Sequence, residues 1–534
     1  MTICQPCPIA SAPVPTSAVT PDRQLNVLLE MRPAFDGYAG IPQETRLLFG
    51  GLCGSPSIEV EGLLQTSLRF ISGGIDSAHA VGDARAPLDE VTRHSRVAIS
   101  IGNSAPKDSA GKIGAYLRSR RTAYRLCMQS LLFPGRNHVA VTNFRSRDFA
   151  DFIWRQLFEK TLPASDFPIV TRRNFRICSV PWNVLQTAGL LTRRWLSKAR
   201  YPRLALDGVD VFITQTPYPA RVPKRTSLVV RYHDAFPILM PHTIANKARH
   251  HATHVNALVS NAESGAYFAC VSEATRQDLI KLRPELETRA VTIHNMISGD
   301  YYEEASSADR VKQIIRLRLN AASALNPAFN GHEAQESFYE RALNRQPFKY
   351  LLVVSTIEPR KNHARLLSAW ELIRAELDPA VKLVFVGNLG WDIDALTREM
   401  RPWIDQAELF VLAGVPAADL RALYRHATAT ICPSVAEGFD YSGVESLACG
   451  GAVVASDIPV HREIYDDAAE YFDPYCSRSL VDALQRVAYS PDAGDRRSTL
   501  KKRGLQVSAR YRPEKILPKW EEFLNTVVQN RHGT

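Results

Sequence analysis

The stretch from Ala427 to Ser456 limits what this chain can fold into more than any other. Ala427-Thr428-Ala429-Thr430-Ile431-Cys432 is a short apolar run with β-branched residues, and Ala452-Val453-Val454-Ala455-Ser456 is another. Between them, Pro433 to Gly451 reads as a loop, a short helix and a second loop, so the whole is strand, loop, helix, loop, strand. That is half of an α/β sheet of the kind that binds nucleotides at its strand ends.

Glu437 falls on the loop after the first strand and Glu445 inside the helix, with seven residues between them. The first turn of that helix, Tyr441 to Gly443, points free N–H groups at the same crevice, an arrangement that suits an anion. The two carboxylates suit neutral hydroxyls, because an ionised carboxylate accepts two at once, and a sugar or ribose supplies them.

A matching unit begins at Lys349-Tyr350-Leu351-Leu352-Val353-Val354-Ser355 and ends in Glu358-Pro359-Arg360-Lys361-Asn362. Two adjacent cations just after a strand can neutralise a diphosphate, Arg360 through a bidentate fork. Earlier in the chain, Leu25 to Met31 reads as a buried strand followed by Gly37 and Gly40 and then a helix through about Leu52. Ser227 to Tyr232 is a strand that delivers His233 and Asp234 at its carboxyl end, and Ser272 reads as a helix N-cap.

Together these stretches resemble the retaining glycosyltransferases of family 4, which have the GT-B fold of two Rossmann-like, doubly wound α/β domains facing across a cleft. The resemblance covers residues 346–474 well, 25–55 and 207–296 moderately, and 56–206 hardly at all. It implies that Glu445 binds the donor ribose, that Glu437 lies beside the donor sugar, and that Arg360 and Lys361 hold the diphosphate. His233 would contact the sugar, and Gly438, Phe439, Asp440, Tyr441 and Ser442 would line the donor site. Gly387 and Val415 would flank the base, while Gly40 and Gly37 would stand on the acceptor-side loop. Glu437, Lys361, Arg360 and His233 are the expected catalytic groups. The family commonly has Gly-Leu-Pro where this chain has Asp440-Tyr441-Ser442, a departure in the loop that faces the sugar.

The chemistry implied is transfer of a hexose from a nucleotide diphosphate to a hydroxyl of a growing or lipid-linked glycan, as in O-antigen or exopolysaccharide synthesis. Within the family the chain looks most like bacterial mannosyltransferases, which use GDP-mannose. A UDP-sugar donor, a GT-B nucleotide-sugar epimerase and a non-catalytic nucleotide-sugar-binding protein are the alternatives. No cofactor and no tightly bound metal is expected. Asp392-Ile393-Asp394 has the spacing of an Asp-x-Asp metal motif but reads as a helix cap.

At 534 residues the chain is too long for one ordinary core. Residues 1–24 read as a disordered tail, 25–300 as an N-terminal Rossmann-like domain with an insertion over about 56–206, and 301–346 as a linker or inserted helix. Residues 347–511 read as the nucleotide-sugar-binding domain, and 512–534 as a helix crossing back to the first domain. Lys112 to Arg125 and Leu191 to Tyr201 mix arginine with aromatics at roughly helical spacing, and the net charge is +10. That combination suits contact with an anionic membrane surface, and no nucleic-acid module is recognisable. Scattered cysteines suggest a reducing compartment, Cys4 and Cys7 lack a second ligand pair, and neither a secretory leader nor a run of ~20 apolar residues is present. The expected place is the cytoplasm, peripheral at the inner face of the membrane.

Overall fold

The computed structural model describes residues 24–73, 87–102, 108–319, 325, 327, 329–343 and 348–532. The expected tail, with Cys4 and Cys7, lies outside the described residues save for Gln24. The N-terminal sheet comprises β1 (Leu25–Glu30), β2 (Ile58–Leu64), β3 (Val141–Phe144), β4 (Phe175–Cys178), β5 (Val211–Thr214), β6 (Ser227–Tyr232), β7 (Tyr267–Cys270) and β8 (Ala290–Thr292). Their spatial order is β3-β4-β2-β1-β5-β6-β7-β8, parallel except for the antiparallel β3–β4 edge. The C-terminal sheet comprises β9 (Tyr350–Val354), β10 (Lys382–Val386), β11 (Leu409–Leu412), β12 (Ala429–Cys432), β13 (Val453–Ser456) and β14 (Ala469–Phe472). Its order is β11-β10-β9-β12-β13-β14, parallel throughout. The central strands are buried on both faces, which is why they read as unbroken apolar runs. In each sheet the winding reverses, at β1/β5 and at β9/β12, and such a reversal opens a crevice at the strands' carboxyl ends.

The segment expected as an insertion over 56–206 is not one, because β2 pairs along the whole of β1 and β4 pairs with β2. The sequence hides these strands for physical reasons. β3 and β4 are too short to show a period, and β2 alternates Glu59 and Glu61 with apolar residues. Those acids face Arg173 and Arg176 across the sheet. Residues 301–346 likewise hold two helices, Asp309–Leu319 and His332–Leu343, that belong to the C-terminal domain's core. Val311, Ile314, Ile315 and Leu319 form the buried stripe of the first, masked in the sequence by Arg310 and Arg318, which both reach Asp419. Leu191 to Tyr201 is not a helix: the Trp182–Thr192 helix ends there and Tyr201 folds back against Gly189. Asp394 is the first helical residue of Asp394–Asp405, and no side chain caps that helix.

The terminal helix Pro513–His532 lies on the N-terminal domain. Its buried Trp520 ring sits 5.1 Å from the Arg231 guanidinium, and Arg531 donates to the carbonyl of Asp210 at 3.1 Å. The two passages between domains are tied together, with Ile297 N donating to Tyr511 O at 2.9 Å and Arg512 to the carbonyls of Ser298 and Tyr301. No helix among the described residues is long and apolar enough to cross a membrane.

Candidate active site

The carboxyl ends of the two sheets face each other across a cleft of about 290 Å³. From the C-terminal domain come the loop after β9, with Glu358, Arg360 and Lys361, and the loop after β12, with Glu437 and every residue from Gly438 to Ser442. From the N-terminal domain come Gly40 after β1 and His233 after β6. Gly40 has φ 72° and precedes the Ile41–Cys53 helix, so the chain turns there in a conformation that favours glycine.

Glu437 is buried and holds both cations, Arg360 Nη1 at 2.7 Å and Lys361 Nζ at 2.5 Å. Arg360 also donates to Glu358 at 2.8 Å and to the carbonyl of Ala436, and it lies 4.9 Å from the centre of the Phe236 ring. Burial alone raises a carboxyl pKa, yet Arg360 and Lys361 outweigh it and hold that of Glu437 below its usual value. Burial works against the Arg360 charge too, and Glu437 and Glu358 more than compensate.

Glu445 lies one helical stretch away and, among the described residues, meets no cation. Its carboxyl accepts from Gln43 Nε2 at 2.8 Å, across the cleft, and from Tyr424 OH at 3.1 Å. Burial pushes its pKa up to about 7.

Asp440 alters the expected role of the helix that follows it. Its carboxylate caps the Tyr441–Ala448 helix, accepting from Ser442 N at 3.1 Å and Ser442 Oγ at 2.7 Å. One of the N–H groups expected to face an anion is therefore already bonded. Burial raises the Asp440 pKa, but the His461 ring, 3.4 Å away, and Lys361 reverse the effect and hold it low.

Across the cleft, His233 donates through Nε2 to Gln215 Oε1 at 3.2 Å, which leaves Nδ1 as the acceptor nitrogen. Burial, with Arg231 behind it, holds the His233 pKa well below its ordinary value, so the ring is neutral at pH 7. Asp234 accepts from the Phe236 backbone N–H at 3.1 Å and so shapes its own loop. Beneath lies a buried pair, Arg231 and Glu44 at 2.9 Å, with Arg231 also donating to Asn295 Oδ1 at 2.7 Å.

The domains touch where these loops meet. A Cβ on Gly438 would stand 1.8 Å from the carbonyl oxygen of His233, so only glycine lets the cleft close this far. Gly438→Ala should therefore hold the domains apart. Misplacement of this kind costs roughly 100-fold in turnover, and small-angle scattering should show a larger radius of gyration than for the unaltered protein. An unchanged radius with full activity would contradict the contact. A second tie joins the domains: Glu463 accepts from the N–H groups of Glu273 and Ala274 at 2.6 and 2.9 Å and from His294 Nε2 at 2.7 Å.

A second cleft of about 430 Å³ continues from the first past Gln43 and Glu445 and contains Val415. Gly387 lines neither cleft. It packs against Ser355, whose carbonyl oxygen would be 2.0 Å from an added Cβ. Gly37 also stands back from both clefts, its carbonyl accepting from Arg46 Nη2 at 2.8 Å. Reasoning from sequence did not assign roles to Gln43, Gln215, Tyr424, His461 or Glu463. Gln215 alone carried a usable signal, a polar residue at the carboxyl end of a buried strand.

Two doubly wound domains closing on a cleft make up the GT-B architecture. The backbone is similar across 95% of this chain to all of sucrose-phosphate synthase from Thermosynechococcus elongatus, with a TM-score of 0.53 and 13% identity. Residues 335–506 match the family model described as glycosyl transferases group 1. Over 41% of its length the chain is 28% identical to half of O-antigen chain mannosyltransferase B of Escherichia coli. Over 25% of its length it is 33% identical to 16% of the serotype-specific mannosyltransferase WbdA of Escherichia coli. The chain thus matches half or less of the length of either relative.

Proposed function

We propose that this protein is a retaining hexosyltransferase that moves mannose from GDP-mannose to a hydroxyl of a growing or lipid-linked glycan in O-antigen or exopolysaccharide synthesis. The observation that carries the reading is the Arg360–Lys361–Glu437 cluster at the ends of β9 and β12, in one cleft with His233 and Glu445. Breaking the anomeric C–O bond moves negative charge onto the departing diphosphate, and cations fixed in a closed, water-poor cleft stabilise that charge. A diphosphate competes with Glu437 for both cations and leaves the carboxylate to the sugar hydroxyls. The neutral His233 ring offers Nδ1 to another hydroxyl. The acceptor hydroxyl attacks on the leaving-group side and the departing phosphate takes its proton, so no protein nucleophile enters. Arg360 and Lys361 do the work a divalent ion would otherwise do, and donor binding needs no metal. The mannosyl donor and glycan acceptor are supported by the names of the Escherichia coli relatives.

The reading is tested by following GDP-mannose with the protein by NMR, with water as the slow acceptor. Release of the α-anomer of mannose first is the expected result. The β-anomer first would overturn retention, and consumption of UDP-glucose but not GDP-mannose would overturn the donor.

Glu445 gives donor binding a pH dependence. A ribose hydroxyl donates to the ionised carboxylate, which forms as pH rises through about 7. Affinity for GDP should rise roughly tenfold from pH 6 to pH 8, a slope that Glu445→Gln flattens. Stability runs the other way. Because burial raises this carboxyl from 4.5 to about 7, its contribution to stability falls as pH climbs between those values and is flat above them.

A further inference from the structure

The second cleft, of about 430 Å³, shares Ala39, Gln43, Val354 and Glu445 with the catalytic cleft. A ligand whose diphosphate lies on Arg360 and Lys361 therefore passes Glu445 and runs on into this second space. Val415, Pro416 and Leu420 give it an apolar wall of the kind on which a planar ring packs.

Arg318 lines the same space. It stands near the end of the Asp309–Leu319 helix, whose buried stripe of Val311, Ile314, Ile315 and Leu319 fixes it to the C-terminal domain. Asp419 accepts from Arg318 Nη2 at 2.9 Å, and Arg310 meets the other oxygen of Asp419 at 3.6 Å. The guanidinium is thus held in place but little used. Its Nε is buried without a hydrogen-bond partner, and Nη1 has none among the described residues. Buried N–H groups are almost always paired, so an orphan on a residue that lines a cleft points to an acceptor brought by the ligand. Lys160, the other cation lining the space, lies over the Tyr38 ring at 5.4 Å. Asp300 and Glu159 add carboxylates to the same lining.

We infer that Arg318 selects the base of the donor nucleotide, donating to O6 and N7 of guanine. The inference rests on the nucleotide-sugar reading of the catalytic cleft and adds the residue that decides which base is taken. Guanine presents two adjacent acceptors, which match the planar fork of an arginine. Adenine sets an amino group beside N7, so that donor would meet donor, and a pyrimidine has no N7. The N1–H and amino group of guanine need acceptors in turn, which the carboxylates of Asp300 and Glu159 supply. Base selection then belongs to the passage between the domains and not to the loops after β10 and β11.

The test is calorimetric titration of the full chain with GDP, UDP, ADP and 7-deaza-GDP, which carries a C–H group in place of N7. The unaltered protein should bind GDP roughly tenfold or more tighter than ADP or 7-deaza-GDP. Arg318→Met should bind GDP and 7-deaza-GDP equally and lose its preference over ADP. Arg318→Lys, which keeps a cation beside Asp419, should narrow the same gaps, and a thermal melt of each variant reports its fold. A merely structural arginine would weaken all the nucleotides alike and leave their ratios unchanged. Ratios unchanged in the variants, or equal binding of GDP and 7-deaza-GDP by the unaltered protein, would overturn the role of Arg318 and leave the donor reading standing. Failure of the unaltered protein to bind GDP, or tighter binding of UDP or ADP, would overturn the donor reading and this inference with it.

Discussion

Lys361→Ala should lower kcat/KM for the sugar donor by about 10²–10³, the usual cost of removing one group that stabilises developing negative charge. The melting temperature should barely move. Lys361 is the clean choice of the two cations because, among the described residues, its side chain pairs with Glu437 alone, which keeps Arg360 at 2.7 Å when the lysine is lost. Arg360 also supports Ala436, Glu358 and Phe236, so its removal would mix a chemical effect with a structural one. Steady-state kinetics beside a thermal melt separate the two. Activity close to that of the unaltered protein would remove Lys361 from the chemistry, and an unfolded variant would move it from the cleft to the core.

Arg231→Ala should have the largest effect on stability, about 3–5 kcal/mol by urea unfolding, because it leaves the Glu44 carboxylate buried without its charge partner. Both side chains are almost wholly inaccessible, and Arg231 also joins β6 to β7 and to Asn295 and packs on Trp520. Burial already raises the Glu44 pKa, so protonation of the orphaned carboxyl limits the loss and the deficit should shrink at low pH. Arg231→Lys should not rescue, since an ammonium cannot span the same acceptors as the planar fork. Replacing both members with apolar residues should cost less than replacing Arg231 alone. A single variant as stable as its parent would show that the pair is not the structural centre of the N-terminal domain.

The C-terminal domain was legible because its strands are short apolar runs set between helices, and because Arg360, Lys361, Glu437 and Glu445 sit at strand ends where such sheets bind ligands. The N-terminal domain was less so. β2 hides its strand character behind Glu59 and Glu61, and β3 and β4 are too short to declare a period. Contacts between domains were not legible at all, since Gln43 and Glu445 are 402 residues apart and nothing local to either announces the other. Asp440 is an intermediate case. The sequence marks it as a departure from the family's usual residue, but only the structure shows its carboxylate turned back onto Ser442 and towards His461. Gly387 shows the reverse: a glycine at the right place in the sheet serves a close backbone approach to Ser355 and not the cleft.

The most direct measurement is calorimetric titration of the purified protein with GDP, UDP and ADP, first without metal and then with magnesium. GDP should bind tightest, magnesium should leave its affinity unchanged, and Lys361→Ala should weaken it. Absence of binding by any of the three nucleotides, with or without magnesium, would contradict the claim that this cleft holds a nucleotide-diphosphate sugar.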